Sequence, residues 1–243
     1  MKQDWTGRRA LITGAGGGIG RAIAVKMSEM GMDVALGGRS EKKLAQSARL
    51  CEKNGVVAVV LPGDLLDDQY TQELVGQATS ALGGLDVLVN NAGVALSGAF
   101  EDVTLEAYDR VMGTNVRAPF VLCQKALAYL RASDCPTIIN IGSVVSHRGY
   151  LMQSAYAASK HALLGLTKVL AGELYKEGIR VHMISPGGVY TDMARVARPD
   201  LASDGLIVPE DIAEIAAFML VQRGNAVIDE IEVHRVGKPP FGG

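Results

Sequence analysis

Short runs of apolar, often β-branched residues alternate along this chain with longer segments that have the apolar spacing of helices. Seven of the short runs are typical of β-strands, and they fall at residues 10–13, 33–36, 56–61, 86–90, 137–142, 180–184 and 227–233. Helix-length segments lie between the early runs, for example at 20–30, 41–53 and 69–82. This alternation predicts a doubly wound α/β fold, in which a parallel sheet carries helices on both faces.

The second half of the chain is predicted to contain two longer helices. One spans about 105–131, where Pro119 is expected to kink or break it, and the other spans about 154–176. Another helix is predicted to begin at Pro209, since proline suits a first helical turn. No linker-like stretch divides the sequence, so residues 1–243 are expected to form a single domain. The least regular segment lies between about 188 and 208.

Composition and charge exclude several classes of function. The 243-residue chain is 48% hydrophobic and has a net charge of -2. It therefore has no strong electrostatic field that would attract nucleic acid or an anionic membrane. Its apolar stretches have strand length, so no membrane span is expected. The three cysteines lie far apart, which is typical of reduced thiols, and the N-terminus has no apolar signal region. Both features favour a cytoplasmic protein. Four histidines lack the spacing of metal ligands, so no metal site is expected.

A glycine-rich turn joins the first predicted strand to the first predicted helix. Its residues after Thr13 are Gly14, Ala15, Gly16, Gly17, Gly18, Ile19 and Gly20. Glycines in such a turn allow the backbone to approach a pyrophosphate, and the helix start offers free N–H groups. The strand before the turn and the helix after it favour a dinucleotide site over a plain tight turn.

The residues after the next two strands bear on the choice of cofactor. Arg39 ends the second strand region, and neither Gly37 nor Gly38 provides the acid that would bind the 2′-hydroxyl of NAD. Arg39 therefore favours NADP(H), because arginine binds phosphate through a planar set of donors; its alternative is a solvated surface charge. Asp64, followed by Leu65, could accept from the adenine amino group or serve as a loop or capping acid.

The chemistry is expected to centre on Tyr156 and Lys160, which lie four residues apart and share a helix face. A nearby ammonium would lower the pKa of the phenol, so that Tyr156 could act as general acid in reduction and as base in oxidation. Ser143, at the end of a strand, could hydrogen-bond the substrate oxygen. A tyrosine–lysine pair taken alone is more often a packing or surface pair.

Taken together, these motifs resemble the short-chain dehydrogenase/reductase family over almost the whole chain. The residues that carry the resemblance are 13–20, 90–93 (Asn-Asn-Ala-Gly), Asn115, Ser143, 156–160 and Pro186-Gly187, and they stand in the family's order and spacing. The resemblance implies a Rossmann-type sheet of seven parallel strands and a homo-oligomer, either a tetramer or a dimer. It also implies a substrate lid at about 188–208, which is short by the family's standard.

The resemblance assigns roles to further residues. Asn115 would hold a water that links Lys160 to solvent, which completes a catalytic set with Ser143 and Tyr156. Asn91 would lie by the cofactor ribose, with Gly93 also at the cofactor. Val189 and Thr191, after Pro186 and Gly187, would contact the nicotinamide amide. Many NADP-dependent members carry a basic residue where this chain has Gly17, so Arg39 would act without it, with Arg21 as a possible helper.

The expected activity is NADPH-dependent reduction of a ketone or aldehyde, or oxidation of a secondary alcohol. One alternative is a 3-oxoacyl-[acyl-carrier-protein] reductase, which needs a basic surface near the pocket mouth. Another is a regulatory protein that binds NADP(H) without turnover. The candidate pocket residues are mostly apolar, with no arginine or lysine clearly placed for a carboxylate: Val94, Leu96, Val145, Tyr150, Leu151, Gln153 and Met193.

Overall fold

The structure is a computed structural model that describes residues 4–191 and 205–238. Its described residues form one seven-stranded parallel sheet with the order β3-β2-β1-β4-β5-β6-β7. The strands are β1 (Arg9–Thr13), β2 (Asp33–Gly38), β3 (Ala58–Pro62), β4 (Val87–Asn90), β5 (Thr137–Ile141), β6 (Arg180–Pro186) and β7 (Glu230–Val233). The predicted fold class is confirmed, although β3 and β7 begin later than the apolar pattern indicated.

Helices cover both faces of the sheet. They are α1 (Gly18–Glu29), α2 (Glu41–Glu52), α3 (Asp68–Leu82), α4 (Leu105–Met112), α5 (Ala118–Leu130), α6 (Ser154–Leu174) and α7 (Pro209–Val221). The alternation of side chains along β1 divides the core in two, because successive residues of a strand face opposite sides. Ile12 packs in a cluster with α1, α2 and α7, whereas Leu11 packs in a second cluster with α3 and α5. Among the described residues, no helix is both long enough and apolar enough to cross a membrane.

The predicted helix at 105–131 is interrupted. A π-helical segment, Gly113–Arg117, separates α4 from α5, and Pro119 stands in the first turn of α5. The break therefore lies just before the proline, where its missing N–H costs the following helix nothing. Such π-helical segments are frequent at functional sites, and this one contains Asn115.

The predicted lid at 188–208 lies mostly outside the described residues, which omit 192–204. Its two ends are paired: Val189 and Ile207 form a parallel bridge, and the Tyr190 N–H donates to the Ile207 carbonyl at 2.8 Å. The two ends of this segment are therefore held together against the end of β6.

A charged network closes the amino-terminal edge of the sheet. Asp86, fully buried just before β4, accepts from the Arg9 backbone and guanidinium at 2.8 Å each and from the Ser133 hydroxyl at 2.6 Å. Burial by itself raises the pKa of Asp86, but these hydrogen bonds hold the pKa below its ordinary value. The carboxylate thus joins β1, β4 and the segment before β5.

Replacing Asp86 by alanine is expected to lower the free energy of unfolding by about 3–5 kcal/mol, because the Arg9 guanidinium loses a buried partner. Asp134 provides the matched control, since its side chain is 86% exposed and pairs with Arg8 at 3.5 Å. Asp134→Ala should cost less than about 1 kcal/mol. Urea denaturation measures both changes, and equal losses would show that the buried network is not a special source of stability.

Candidate active site

A cavity of about 1320 Å³ runs along the carboxyl ends of the strands. This volume exceeds the range of typical small-molecule pockets, so a dinucleotide and a substrate could share it. Its lining includes every residue predicted for cofactor binding except Gly20, and three of the four predicted catalytic residues. Those that line it are Gly14, Gly16, Gly17, Gly18, Ile19, Arg39, Asp64, Leu65, Asn91, Gly93, Ser143, Tyr156, Lys160, Pro186, Gly187, Val189 and Thr191.

The glycine turn is held by Asn91. Its side-chain amide donates to the Thr13 carbonyl at 2.9 Å, and its backbone N–H donates to the Thr13 hydroxyl at 3.0 Å. Gly20 lies outside the cavity lining but is still required, since a Cβ there would stand 2.4 Å from Asn91 Nδ2 and 2.5 Å from the Gly14 oxygen. The turn can therefore close only with glycine at position 20.

The start of α1 suits an anion. Its cap residue, Gly17, provides no side-chain hydrogen bond, and the first turn contains no acid. The N–H groups and the positive end of the helix dipole thus stay available to a phosphate. A Cβ on Gly17 would meet nothing within 4 Å, which leaves open space beside the helix start. These features fit a dinucleotide pyrophosphate.

Arg21 does not assist at the cofactor phosphate as expected. Its guanidinium donates to the Gly16 carbonyl at 2.5 Å and to the Ser47 hydroxyl at 2.9 Å, and the Ser47 hydroxyl donates to the Ala15 carbonyl at 2.7 Å. The Gly16 carbonyl and the Ser47 hydroxyl take these donors, and Arg21 is not part of the cavity lining. Arg21 braces the glycine turn against α2 instead.

Two basic residues stand at the nucleotide end of the cavity. Arg39 follows β2 directly, is exposed, and lines the cavity, as does Lys43 in the first turn of α2. Ser40, the residue after Arg39, caps α2 and accepts from the Lys43 N–H at 3.4 Å. The sequence analysis did not predict Lys43 as a cofactor-binding residue. The signal that could have indicated it is its position four residues after Arg39.

Asp64 takes the second of its two predicted roles, that of a loop acid. Its carboxylate accepts from the Leu66 N–H at 3.0 Å, which makes a local turn, and the residue also lines the cavity. The cap of α3 is Asp67, which accepts from the Gln69 and Tyr70 N–H groups. Asp64 is therefore a loop acid at the nucleotide end, and a contact to adenine stays a prediction.

Tyr156, Ser143 and Lys160 meet at the middle of the cavity. Burial raises the pKa of the Tyr156 phenol, and a hydrogen bond with Ser143 acts in the opposite direction. The pKa of the phenol is thus raised overall, and the lowering expected from Lys160 is absent. The Lys160 ammonium lies 5.9 Å from the centre of the Tyr156 ring.

Lys160 is buried at the junction of α6 and β5. Its ammonium donates to the Ile141 carbonyl at 2.8 Å. Burial lowers the pKa of Lys160 to about 8. An amine with this pKa exchanges protons near neutral pH, which an ordinary lysine does not.

Asn115 holds the framework of the site. Its amide donates to the Val94 carbonyl and the Ser159 hydroxyl, both at 3.0 Å, and its oxygen accepts from the Val94 N–H at 2.8 Å. Both amide hydrogens are thus used within the protein, and the side chain ties the π-helical segment to α6. The water that Asn115 was predicted to hold stays a prediction.

The residues after β6 face the glycine turn. Gly18 approaches Thr191 so closely that a Cβ on Gly18 would stand 3.0 Å from the Thr191 methyl carbon. Gly187 donates to the Val233 carbonyl at 2.7 Å, which holds this loop beside β7. The loop after β6 and the glycine turn therefore lie against each other, and both line the cavity.

The prediction of a mostly apolar pocket left out its basic side chains. Val94, Val145, Tyr150 and Gln153 line the cavity, Leu96 and Leu151 do not, and Met193 lies outside the described residues. Four basic side chains also line it, namely Arg110, Arg148, Arg235 and Lys238. Sequence spacing could not place them, because they come from separate loops and from α4. His147 pairs with Glu230 at 2.7 Å.

One polar atom in the cavity wall has no partner. The side-chain oxygen of Gln153 is buried and accepts no hydrogen bond from the described residues. Gln153 precedes Tyr156 by three residues at the start of α6. A buried acceptor of this kind is satisfied by a ligand donor or by water.

No group of three or more histidine, cysteine or acidic side chains is placed for a metal among the described residues.

The sequence profile of the short chain dehydrogenase family matches residues 8–202. The chain belongs to the short-chain dehydrogenase family. It is an oxidoreductase of that family, and its fold, turn and Tyr156–Lys160 pair agree with the resemblance seen in the sequence. 

Several relatives of this short-chain dehydrogenase are similar over their full length. An uncharacterised oxidoreductase of Staphylococcus aureus strain MW2 is 33% identical over 95% of this chain and 98% of its own. The crystal structure of a short chain dehydrogenase from Burkholderia cenocepacia, in complex with NADP, is 33% identical, covers 97% of this chain and 98% of that one, and has a TM-score of 0.86. A metagenomic blue fluorescent protein in complex with NADPH is 36% identical, with 96% and 97% covered and a TM-score of 0.85.

The buried amine of Lys160 predicts a pH dependence of stability. The unfolded chain keeps this proton up to about pH 10.5, whereas the folded protein releases it near pH 8. Between these values the unfolded state binds more protons, so the free energy of unfolding rises with pH. From pH 7 to 9.5 the cofactor-free protein should gain about 2 kcal/mol relative to Lys160→Met. 

Urea denaturation of both proteins at the two pH values measures this difference. Lys160→Met is itself the control for the wild-type protein, since all other titrating groups are common to the two proteins. Parallel stability profiles would show that the amine is not poised near pH 8.

Proposed function

We propose that this short-chain dehydrogenase transfers hydride between NADP(H) and a carbonyl compound or its alcohol. The observation that carries the proposal is the arrangement of Tyr156, Ser143 and Lys160 in one cavity whose nucleotide end contains Arg39 and Lys43. The first group supplies proton chemistry, and the second offers cations to a 2′-phosphate. The NADP-bound and NADPH-bound structures of the similar proteins support this choice of cofactor.

The glycine turn and the start of α1 would hold the pyrophosphate, and Val189 and Thr191 would lie at the nicotinamide. When bound, NADPH supplies the hydride. In reduction, the Tyr156 hydroxyl donates its proton to the carbonyl oxygen, and the Ser143 hydroxyl stabilises the negative charge that develops there. Lys160 restores the proton to Tyr156, for which a pKa of about 8 is suitable.

The alternative activities use the same residues. Reduction of a 3-oxoacyl thioester would require Tyr156 in the same role, with the carrier protein bound at the cavity mouth. A regulatory protein would bind NADP(H) without turnover, which the assembled Ser143, Tyr156 and Lys160 set makes the weaker proposal. Activity against a panel of carbonyl compounds separates the first two from the third.

We also propose a homo-oligomer, dimer or tetramer, in the cytoplasm. Apolar side chains on α4, α5 and α6 stay exposed in the single chain, including Leu105, Phe120 and Val169. Exposed apolar residues on neighbouring long helices are typical of surfaces that pack against another subunit. The three cysteines are free and buried, which suits a reducing compartment.

Tyr156→Phe should lower kcat for the best carbonyl substrate by roughly 10²–10⁴-fold, because the proton donor is lost. NADPH binding, followed by its fluorescence, should be retained. Tyr175→Phe is the matched control, since Tyr175 is exposed and outside the cavity. Full activity in Tyr156→Phe would contradict the assignment of the acid.

Arg39→Gln should lower kcat/KM with NADPH by about 10–100-fold, which corresponds to the loss of one charge-assisted hydrogen bond. The same substitution should leave kcat/KM with NADH nearly unchanged. Lys42→Gln, at an exposed position outside the cavity lining, is the control. A preference for NADH that Arg39→Gln does not alter would contradict the phosphate contact.

A further inference from the structure

The end of the cavity away from Arg39 is basic. Arg148, in the loop after β5, and Arg235 and Lys238, after β7, all line it. Glu232 is the acid that lines this end among the described residues, and its side chain is exposed. Three permanent cations therefore face one carboxylate in the part of the cavity that lies beyond Tyr156.

The cavity arginines differ from most of the described arginines in having no partner among the described residues. Seven described arginines donate to carboxylates, hydroxyls or carbonyls of the protein: Arg8, Arg9, Arg21, Arg117, Arg131, Arg180 and Arg223. Of the five that have no such partner among the described residues, Arg39, Arg110, Arg148 and Arg235 line the cavity, and Arg49 is on the exposed face of α2. Unpaired guanidinium groups inside a cavity are available to a ligand.

Arg148 and Arg235 lie at other strand ends than the proposed cofactor phosphates. This step rests on the proposed cofactor site, in which the phosphates lie at the start of α1, after β1, and beside Arg39, after β2. Arg235 follows β7, which stands four strands from β1, and Arg148 follows β5, which stands two strands from β1. The effect of each arginine on NADPH affinity therefore separates a substrate contact from a cofactor contact. 

Both arginines line the same cavity as the residues of the reaction. Arg148 is five positions after Ser143 and is joined to it by the short 3-10 helix Val144–Ser146. The Arg235 Nε atom stands 3.8 Å from the Cβ position of Gly188, the residue before Val189. The two arginines thus reach this cavity from the loops after β5 and β7.

We infer that the substrate carries an anionic oxygen group, a carboxylate or a phosphate, which Arg148 and Arg235 bind while Tyr156 acts on the carbonyl. Guanidinium groups bind both kinds of anion through paired N–H donors. The inference deepens the proposed function, because it names the chemical class of substrate for the same site. Lys238 adds positive charge at the mouth, where it would raise the local concentration of anions.

Binding can be tested separately from turnover in Tyr156→Phe. Two matched pairs of probes distinguish the two anions: 3-oxobutanoate against its ethyl ester, and dihydroxyacetone phosphate against dihydroxyacetone. Affinities are measured by titration calorimetry with and without NADPH. At least one anion should bind tenfold or more tightly than its neutral partner, as expected for a charge-assisted contact. The preferred pair identifies carboxylate or phosphate.

The arginines are then replaced in the same background. The anion's advantage is its affinity divided by that of its neutral partner. Arg148→Gln and Arg235→Gln should each reduce this advantage by about tenfold, and Arg235→Lys should restore part of it. Both side chains are part-exposed and unpaired among the described residues, so their replacement should not unfold the protein. Arg49→Gln, outside the cavity, should leave the advantage unchanged. The advantage should also shrink at high ionic strength.

Three results would overturn the inference: equal binding of anion and neutral partner in both pairs, an anion advantage that the arginine substitutions do not alter, or a loss confined to NADPH affinity. The last would assign the arginines to the cofactor. Tight anion binding that depends on both arginines supports the inference even if the wild-type protein oxidises no NADPH with any carbonyl compound. That combination would contradict the proposed function alone.

Discussion

The parallel direction of all seven strands is the constraint on which the site depends. Because each strand returns through a crossover, every strand ends at the same edge of the sheet, and the loops after β1 through β7 lie side by side. Residues as distant in sequence as Gly14 and Arg235 therefore line one cavity. The opposite edge carries the Asp86 network, which joins strands and takes no part in the chemistry. The molecule thus separates a structural edge from a reactive one.

Polar side chains inside the fold hold the reactive edge in shape. Asn91 fixes the glycine turn, and Asn115 joins the π-helical segment to α6 and to the loop after β4. Lys160 anchors α6 to the last residue of β5. Each of these groups is satisfied by backbone or side-chain partners, and a buried polar network of this kind permits few alternative arrangements. Tyr156 and Ser143 are consequently presented to the cavity by a rigid frame.

The distribution of charge gives the cavity its chemical preference. The chain as a whole has a net charge of -2, yet four of the five arginines that have no partner among the described residues line this one cavity. A cleft lined by one sign of charge concentrates its field and attracts ligands of the opposite sign. The nucleotide end and the far end share this character, with Tyr156 and Ser143 between them. A cofactor phosphate and an anionic substrate would thus occupy separate basic regions on either side of the reacting atoms.

The sequence by itself determined the fold class, most strand positions, the glycine turn and the Tyr156–Lys160 pair, because these depend on local periodicity and on residues close along the chain. It also indicated Arg39, which directly follows a strand. Only the tertiary structure decided that Arg21 braces the turn, that Lys43 and Arg148 line the cavity, and that burial rather than a neighbouring charge dominates the pKa of Tyr156. The physical reason is that hydrogen-bond partners and burial come from segments far apart in sequence. Composition shows how many charged groups a chain has, but only the packed fold shows which of them remain unpaired.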